Sequence, residues 1–230
     1  MNKLSIRLET IASLVPFGAR VCDIGTDHGY LSIHLKNNNI AKSVIATDLN
    51  EKPLLTAKKN IDLSGTKGID LRLGSGLSPI NEGEVDTVII AGMGGEVISG
   101  ILSECEWIKN GKITLILQPT TSADALRRFL TQNGFEIKSE KAVSENRKLY
   151  SVMVVVFTGK TSIMPEHFYY IGLLKPTNEA EILYINKQQK ILLNCINSLE
   201  KIPSKQEDFI KYKNAYSGIT QILTEYNNGI

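Results

Sequence analysis

Between Arg20 and Phe157 the chain alternates two hydrophobic patterns. Short apolar runs rich in β-branched residues, predicted as strands, occupy 20–24, 43–47, 69–73, 85–90 and 113–117. Stretches 28–38, 52–64, 95–105 and 122–133 place apolar residues at helical spacing. Near-continuous apolar strands separated by helices predict a parallel sheet covered on both faces. A last pair of strands, near 135–143 and 150–157, is joined only by the polar link 144–148 and should pair antiparallel. The prediction is an α/β, doubly wound, Rossmann-like sheet, parallel and closed by an antiparallel strand.

The flanks read differently. Leu4, Leu8, Ile11 and Val15 form a short amphipathic helix that Pro16 ends, expected to cap the sheet or a pocket in it. After Gly159 the composition shifts. Residues 161–177 read as a linker, followed by Asn178 with Glu181 and Ser204 with Glu207, two capping-box patterns. Behind each box runs an apolar seam, Ile182 to Leu199 and Phe209 to Tyr226, with Pro203 between them. Facing seams predict a C-terminal antiparallel coiled-coil helical hairpin, ~35 Å long, that packs largely on itself. The expected division is 1–160, a linker at 161–177, and the hairpin at 178–230.

Composition narrows the class. With 230 residues, 42% hydrophobic and 22% charged, the chain is neither disordered nor fibrous. Its apolar runs are strand-length, so no membrane span is expected. No basic-apolar-small leader precedes the first helix, and a cytoplasmic location is expected. Three scattered cysteines without a CxxC pair exclude a disulfide framework, and no HxxxH pattern offers a metal site. A net charge of +2 does not by itself imply nucleic-acid binding.

Candidate chemistry begins at Val21-Cys22-Asp23-Ile24-Gly25-Thr26-Asp27-His28-Gly29-Tyr30, a buried strand running through a glycine turn into a helix. The second strand ends in Asp48, within Ala46-Thr47-Asp48-Leu49-Asn50, where a carboxylate can hold both ribose hydroxyls of a nucleoside. Gly25 and Gly29 allow close backbone approach. A pyrophosphate loop needs G-x-G-x-x-G with bare backbone N–H groups. Here Asp27 replaces the middle glycine and Asp23 stands just before the first. Two carboxylates repel a pyrophosphate but suit S-adenosylmethionine, which carries an ammonium and a sulfonium. His28 either faces this ligand or caps the first helical turn. Gly74-Ser75-Gly76-Leu77, after the third strand, is either an adenine contact or a plain tight turn.

After the fourth strand, Ala91-Gly92-Met93-Gly94-Gly95 leaves open backbone beside the transferable methyl group, with Met93 its one sizeable side chain. There is no Asn-Pro-Pro-Tyr or Asp-Pro-Pro-Tyr, and no cysteine after strands four or five for a covalent adduct. The acceptor should therefore be intrinsically nucleophilic, such as a ring nitrogen, and need mainly positioning. Gln118-Pro119-Thr120-Thr121 either reads a base edge or simply starts the next helix.

The chain resembles the bacterial tRNA (adenine-22, N1)-methyltransferases, the TrmK family, whose sheet is of the class I methyltransferase kind. The likeness is carried by Leu4-Ser5-Ile6-Arg7-Leu8, Asp23 to Leu31, Ala46-Thr47-Asp48, Ile90 to Gly95 and Leu117-Gln118-Pro119. Where similar members carry Gln-Pro-Asn, this chain has Thr120. The resemblance implies S-adenosyl-L-methionine as cofactor and methyl transfer to N1 of adenine 22, with tRNA as partner and no membrane or metal. It implies cofactor contacts from Asp23, Gly25, Asp27, His28, Gly29, Asp48, Leu49, Ser75, Gly76, Gly92 and Met93. Substrate contacts are expected from Arg7, Tyr30, Met93, Gly94, Gln118 and Pro119. Because the methylated base is cationic, Asp27 is the candidate catalytic carboxylate, unless it serves the cofactor. Lysines 187, 190, 201, 205, 211 and 213 of the hairpin, with Arg7, Arg127, Arg128, Arg147 and Lys148, are the candidate phosphate contacts. The chain is expected to be a monomer or weak homodimer. A small-molecule N-methyltransferase and a coiled-coil scaffold with a relic cofactor site are the rival readings.

Overall fold

A computed structural model describes residues 4–229. Seven strands form one sheet: β1 (Ala19–Ile24), β2 (Ala41–Asp48), β3 (Ile69–Leu73), β4 (Thr87–Gly94), β5 (Thr114–Thr121), β6 (Phe135–Glu145) and β7 (Lys148–Phe157). Their order is β3-β2-β1-β4-β5-β7-β6, and β7 runs antiparallel to both its neighbours. The β6–β7 connection is a two-residue turn, Asn146 and Arg147, both left-handed (φ 49° and 64°), the twist that suits a tight hairpin. The helices are α1 (Ile6–Ala12), α2 (Tyr30–Asn37), α3 (Glu51–Ser64), α4 (Gly95–Ser103), α5 (Ala123–Gln132), α6 (Glu166–Ile171), α7 (Glu179–Leu199) and α8 (Gln206–Asn227).

Both sheet faces are buried, as the apolar strands require. On one, Val88, Ile90, Leu115 and Leu117 pack against Ile98 and Leu102 of α4 and Leu126 and Leu130 of α5. On the other, Val21, Val44, Ile89 and Ile116 meet Ile11 of α1 and Leu31 and Leu35 of α2. The inner strands reach further than their apolar runs. β4 continues through Gly94 and β5 through Thr121 because Met93 pairs with Pro119 and Gly94 with Thr121, across two register shifts. The segments read from sequence as loops are thus the carboxyl ends of two central strands.

The C-terminal region corrects three expectations. The segment 161–177 contains α6, whose Phe168, Tyr169 and Ile171 are buried. The Asn178 cap forms, its Oδ1 accepting from Glu181 N at 3.1 Å, but Glu181 reaches back to Thr177. The Ser204 cap does not form: a 3-10 turn, Pro203–Lys205, leads into α8 instead. The seams of α7 and α8 do not close on themselves alone. Tyr184, Ile185 and Leu192 of α7 and Ala215 and Ile219 of α8 share one core with Ile171 and Leu174, and Ala142 and Leu149 of the β6–β7 hairpin pack against it. Beneath this junction Arg127 is fully buried. Its guanidinium donates to Glu140 at 2.5 Å, to Ser151 Oγ at 3.1 Å, to the carbonyl oxygens of Tyr169 and Tyr170, and to Tyr184 Oη at 3.4 Å. Among the described residues no helix is long and apolar enough to cross a membrane.

Candidate active site

A cavity of about 450 Å³ opens at the carboxyl ends of β1, β2 and β4. Such crevices are where open α/β sheets bind ligands. Asp23, Gly25, Asp27, His28, Asp48, Gly92 and Met93 line it, together with Arg7 and Tyr30. The turn between β1 and α2 takes left-handed geometry at every other residue: Gly25, Asp27 and Gly29, with φ of 72°, 52° and 72°. Its start is pinned to β2, where Thr47 O accepts from Gly25 N at 2.8 Å and Thr26 N at 2.9 Å. Gly25 holds a φ of 72°, a conformation that favours glycine, and a Cβ there would also push against the Met93 methyl at the end of β4.

Asp23 is buried, and its Oδ2 accepts from Thr26 Oγ1 and Ser32 Oγ, each at 2.8 Å. Burial pushes its pKa above the ordinary aspartate value, the two hydroxyls oppose the rise, and the nearby Asp48 charge adds to it. Asp48 ends β2 and accepts from Asn50 N at 2.9 Å. Asp27 sits on the rim, its side chain 68% exposed and its Oδ2 3.4 Å from His28 Nε2. The His28 ring stacks on Tyr30 with centroids 5.5 Å apart, so it does more than cap a helix. A screened rim carboxylate is poorly suited to stabilising charge at the reaction centre.

Several predicted residues stand elsewhere. Gly29 caps α2 and lets α3 approach, since a Cβ there would be 3.2 Å from Ala57 Cβ. Leu49 follows Asp48 and is 64% exposed. Ser75 lines a separate cavity with Leu77, Ile80 and Trp107, and Gly76 lies against Ile101, because the turn after β3 folds back under α4. Gln118 is turned into the protein. Fully buried, its Oε1 accepts from Arg7 Nη1 at 2.6 Å and Gly92 N at 3.1 Å, and its Nε2 donates to Pro119 O at 2.8 Å. Arg7 also donates through its backbone N–H to Glu145 Oε1 at 2.9 Å, and its side chain pairs with Glu145 Oε2 at 3.8 Å. The residues 7, 118 and 145 therefore clamp α1 over the cavity. Gly94 caps α4, and Pro119 opens toward a different space, described below.

The basic residues divide similarly. Arg127 is paired with Glu140, and Arg128 with Glu166 at 3.0 Å while lying 3.8 Å over the Tyr169 ring. Neither is offered to an RNA backbone. Arg147 and Lys148 at the hairpin tip are exposed, as are lysines 187, 190, 201, 205, 211 and 213. Sequence reasoning missed Ser32, Thr26 and Glu145 as the groups that hold Asp23 and Arg7. Glu145 lies 138 positions from Arg7, and no local pattern marks such a pair.

The donor set fits S-adenosylmethionine. Three carboxylates face the cavity, while its one arginine is already engaged by Gln118 and Glu145. That balance favours a cationic nucleoside over a pyrophosphate. Among the described residues no three His, Cys, Asp or Glu side chains cluster as metal ligands.

Residues 4–153 match the methyltransferase-domain family. The tRNA (adenine(22)-N(1))-methyltransferase of Bacillus subtilis (strain 168) is 40% identical over 153 residues, 66% of this chain and 64% of that protein's length. The crystal structure of the B. subtilis tRNA methyltransferase TrmK superposes with a TM-score of 0.84 at 28% identity, covering 96% of this chain and 99% of that one. A Streptococcus pneumoniae protein solved in complex with S-adenosyl-L-methionine is 33% identical, with a TM-score of 0.78 and coverage of 93% and 100%.

Proposed function

The chain belongs to the family of bacterial tRNA (adenine(22)-N1)-methyltransferases, and on that premise we propose that it transfers a methyl group from S-adenosyl-L-methionine to N1 of adenine 22 in tRNA. The observation that supports this best is the cavity at the ends of β1, β2 and β4, lined by Asp23, Asp27 and Asp48 with Gly25, Gly92 and Met93. When bound, S-adenosylmethionine supplies an electrophilic methyl on a sulfonium. Asp48 accepts from the ribose hydroxyls, and Asp23 balances the ammonium from within the cavity. Gly92 and Met93 leave a narrow opening through which an acceptor nitrogen can approach in line. N1 of adenine bears no proton at neutral pH, so no general base is needed once the base leaves its stack. The bond formed is N1–C and the bond broken is S–C; the positive charge passes from sulfur to the methylated base. Exposed lysines on α7, α8 and the turn between them hold the RNA phosphates, and the protein works in the cytoplasm.

The test is direct. Purified protein, S-adenosylmethionine and an unmodified tRNA transcript are incubated, and the RNA is digested for nucleoside mass spectrometry. N1-methyladenosine is expected, and a transcript with guanine at position 22 should yield none. Methylation at another nucleoside, or none at all, overturns the proposal.

A further inference from the structure

A second cavity, of about 320 Å³, lies beside the first, across the paired ends of β4 and β5. The wall between them is thin. Met93 lines the first cavity and pairs with Pro119, which lines the second. Thr120 Oγ1, also on the second, donates to Met93 O at 3.0 Å. Arg7, on the first, lies 5.9 Å over the ring of Tyr150, on the second. Strand neighbours are ~5 Å apart, so the second cavity begins one strand from the methyl-transfer opening.

Its far side comes from the C-terminal helices. Tyr170 of α6 and Tyr212 of α8 meet edge to face, centroids 6.5 Å apart at 68°, and form an aromatic wall. From α7 come Lys187, exposed, and Gln188, half-buried, whose amide has no hydrogen-bond partner among the described residues. Asp124, at the start of α5, also lines the cavity and is likewise unpaired there. An aromatic wall, a free amide, a carboxylate and a lysine at the mouth are the means by which proteins hold an unstacked nucleotide.

The chemistry of the acceptor narrows the occupant. N1 lies on the Watson–Crick edge of adenine and must stay free to attack. The base then has to be read from its N6/N7 edge, and a carboxamide is the side chain that pairs with that edge. Resting on the function proposed above, we infer that this junction cavity receives the extruded target adenine. Its face lies against Tyr170 and Tyr212, and its N6/N7 edge against the Gln188 amide. Asp124 opposes the positive charge that the ring gains at N1. The site is thus composite: the strand ends supply the methyl group, and α6, α7 and α8 present the base to it.

Two measurements test this. The first uses a transcript with 7-deazaadenosine at position 22, which keeps N1 and N6 but lacks N7. With the wild-type protein kcat/KM should fall about tenfold, a value within the discrimination of one good bidentate pair. With Gln188→Ala the natural transcript should already be slower by a similar factor, and the deaza transcript no slower still. S-adenosylmethionine affinity should be unchanged in calorimetry. Equal activity on both transcripts, or losses that multiply in the variant, overturns the inference.

The second needs no variant. Cys22 and Cys105 are buried, while Cys195 is half-buried on the cavity wall, so N-ethylmaleimide should mark Cys195 first. A tRNA with adenine at position 22 should slow that labelling, and a transcript abasic there should bind without slowing it. Equal protection by both places the base elsewhere. If wild-type protein forms no N1-methyladenosine at position 22, the proposed function fails, and the protection experiment still decides what the cavity holds.

Discussion

Asp23 carries a conflict that sets the behaviour of the cofactor cavity. Burial raises its pKa, and among the described residues two hydroxyls and no cation compensate it. A group whose pKa is higher folded than unfolded stabilises folding fully below the unfolded value, and loses that contribution as pH rises through the folded one. The raised pKa therefore weakens the cofactor-free protein as pH rises above the ordinary aspartate range, and a bound ammonium would offset it. Asp23→Asn keeps an acceptor for Thr26 and Ser32. It should raise the cofactor-free melting temperature at pH 7 more than at pH 4, while weakening S-adenosylmethionine ~10–100-fold, the range for losing a charged partner. Wild-type affinity should decline on acidification from a pH above the ordinary aspartate range, and the variant's should be flatter; calorimetry across pH 4–8 decides. Asp48→Ala should cost roughly 2–4 kcal/mol of cofactor affinity through loss of a charged acceptor for two hydroxyls. Unchanged binding would remove Asp48 from the site.

At the scale of elements, what the sequence discloses is whatever has a local cause. The order of strands and helices from β1 to β7 was legible because alternation, glycine turns and the polar β6–β7 link are local signals. So were Asp23, Gly25 and Asp48, whose strand-end positions follow from that order. The ends of β4 and β5 were not, because Gly92 to Gly94 become strand only through pairing with Pro119 to Thr121. The inward bonds of Gln118 have no local signal either, because its partners Arg7 and Gly92 stand 111 and 26 positions away. The six-residue α6 hid in an aromatic stretch too short for periodicity, although Pro165 ahead of Glu166 marks its start. Arg127 resembled a surface cation in an amphipathic helix, yet Glu140 and three neighbouring elements enclose it. Removing one partner of such a pair strands the other charge. Arg127→Ala should cost about 3–5 kcal/mol in denaturant unfolding, and Arg127→Met combined with Glu140→Leu should recover much of it. A loss under ~1 kcal/mol for the single variant would show that the pair is not closed from water.

For the whole molecule, the hairpin is continuous with the sheet it rests on, because Tyr184 and Ile185 pack into a core begun by Ile171 and Leu174. A chain ending at Thr177 would expose that core and leave Arg127 without Tyr184. It should melt at a lower temperature yet still bind S-adenosylmethionine, whose cavity is built from α1, β1, β2 and β4. It should not methylate tRNA, lacking both Gln188 and the lysines; turnover equal to that of the full chain would make the hairpin dispensable to catalysis. The clamp on α1 has a further consequence, in time. Arg7 leaves the ribosome well before its partners, since Gln118 and Glu145 follow 111 and 138 positions later. At ~5–20 residues per second that is a wait of roughly 6–28 s. During that interval α1 can pack on α2 and β1, but the bonds that hold Arg7 over the cavity cannot form until β6, the outermost strand, has been synthesised.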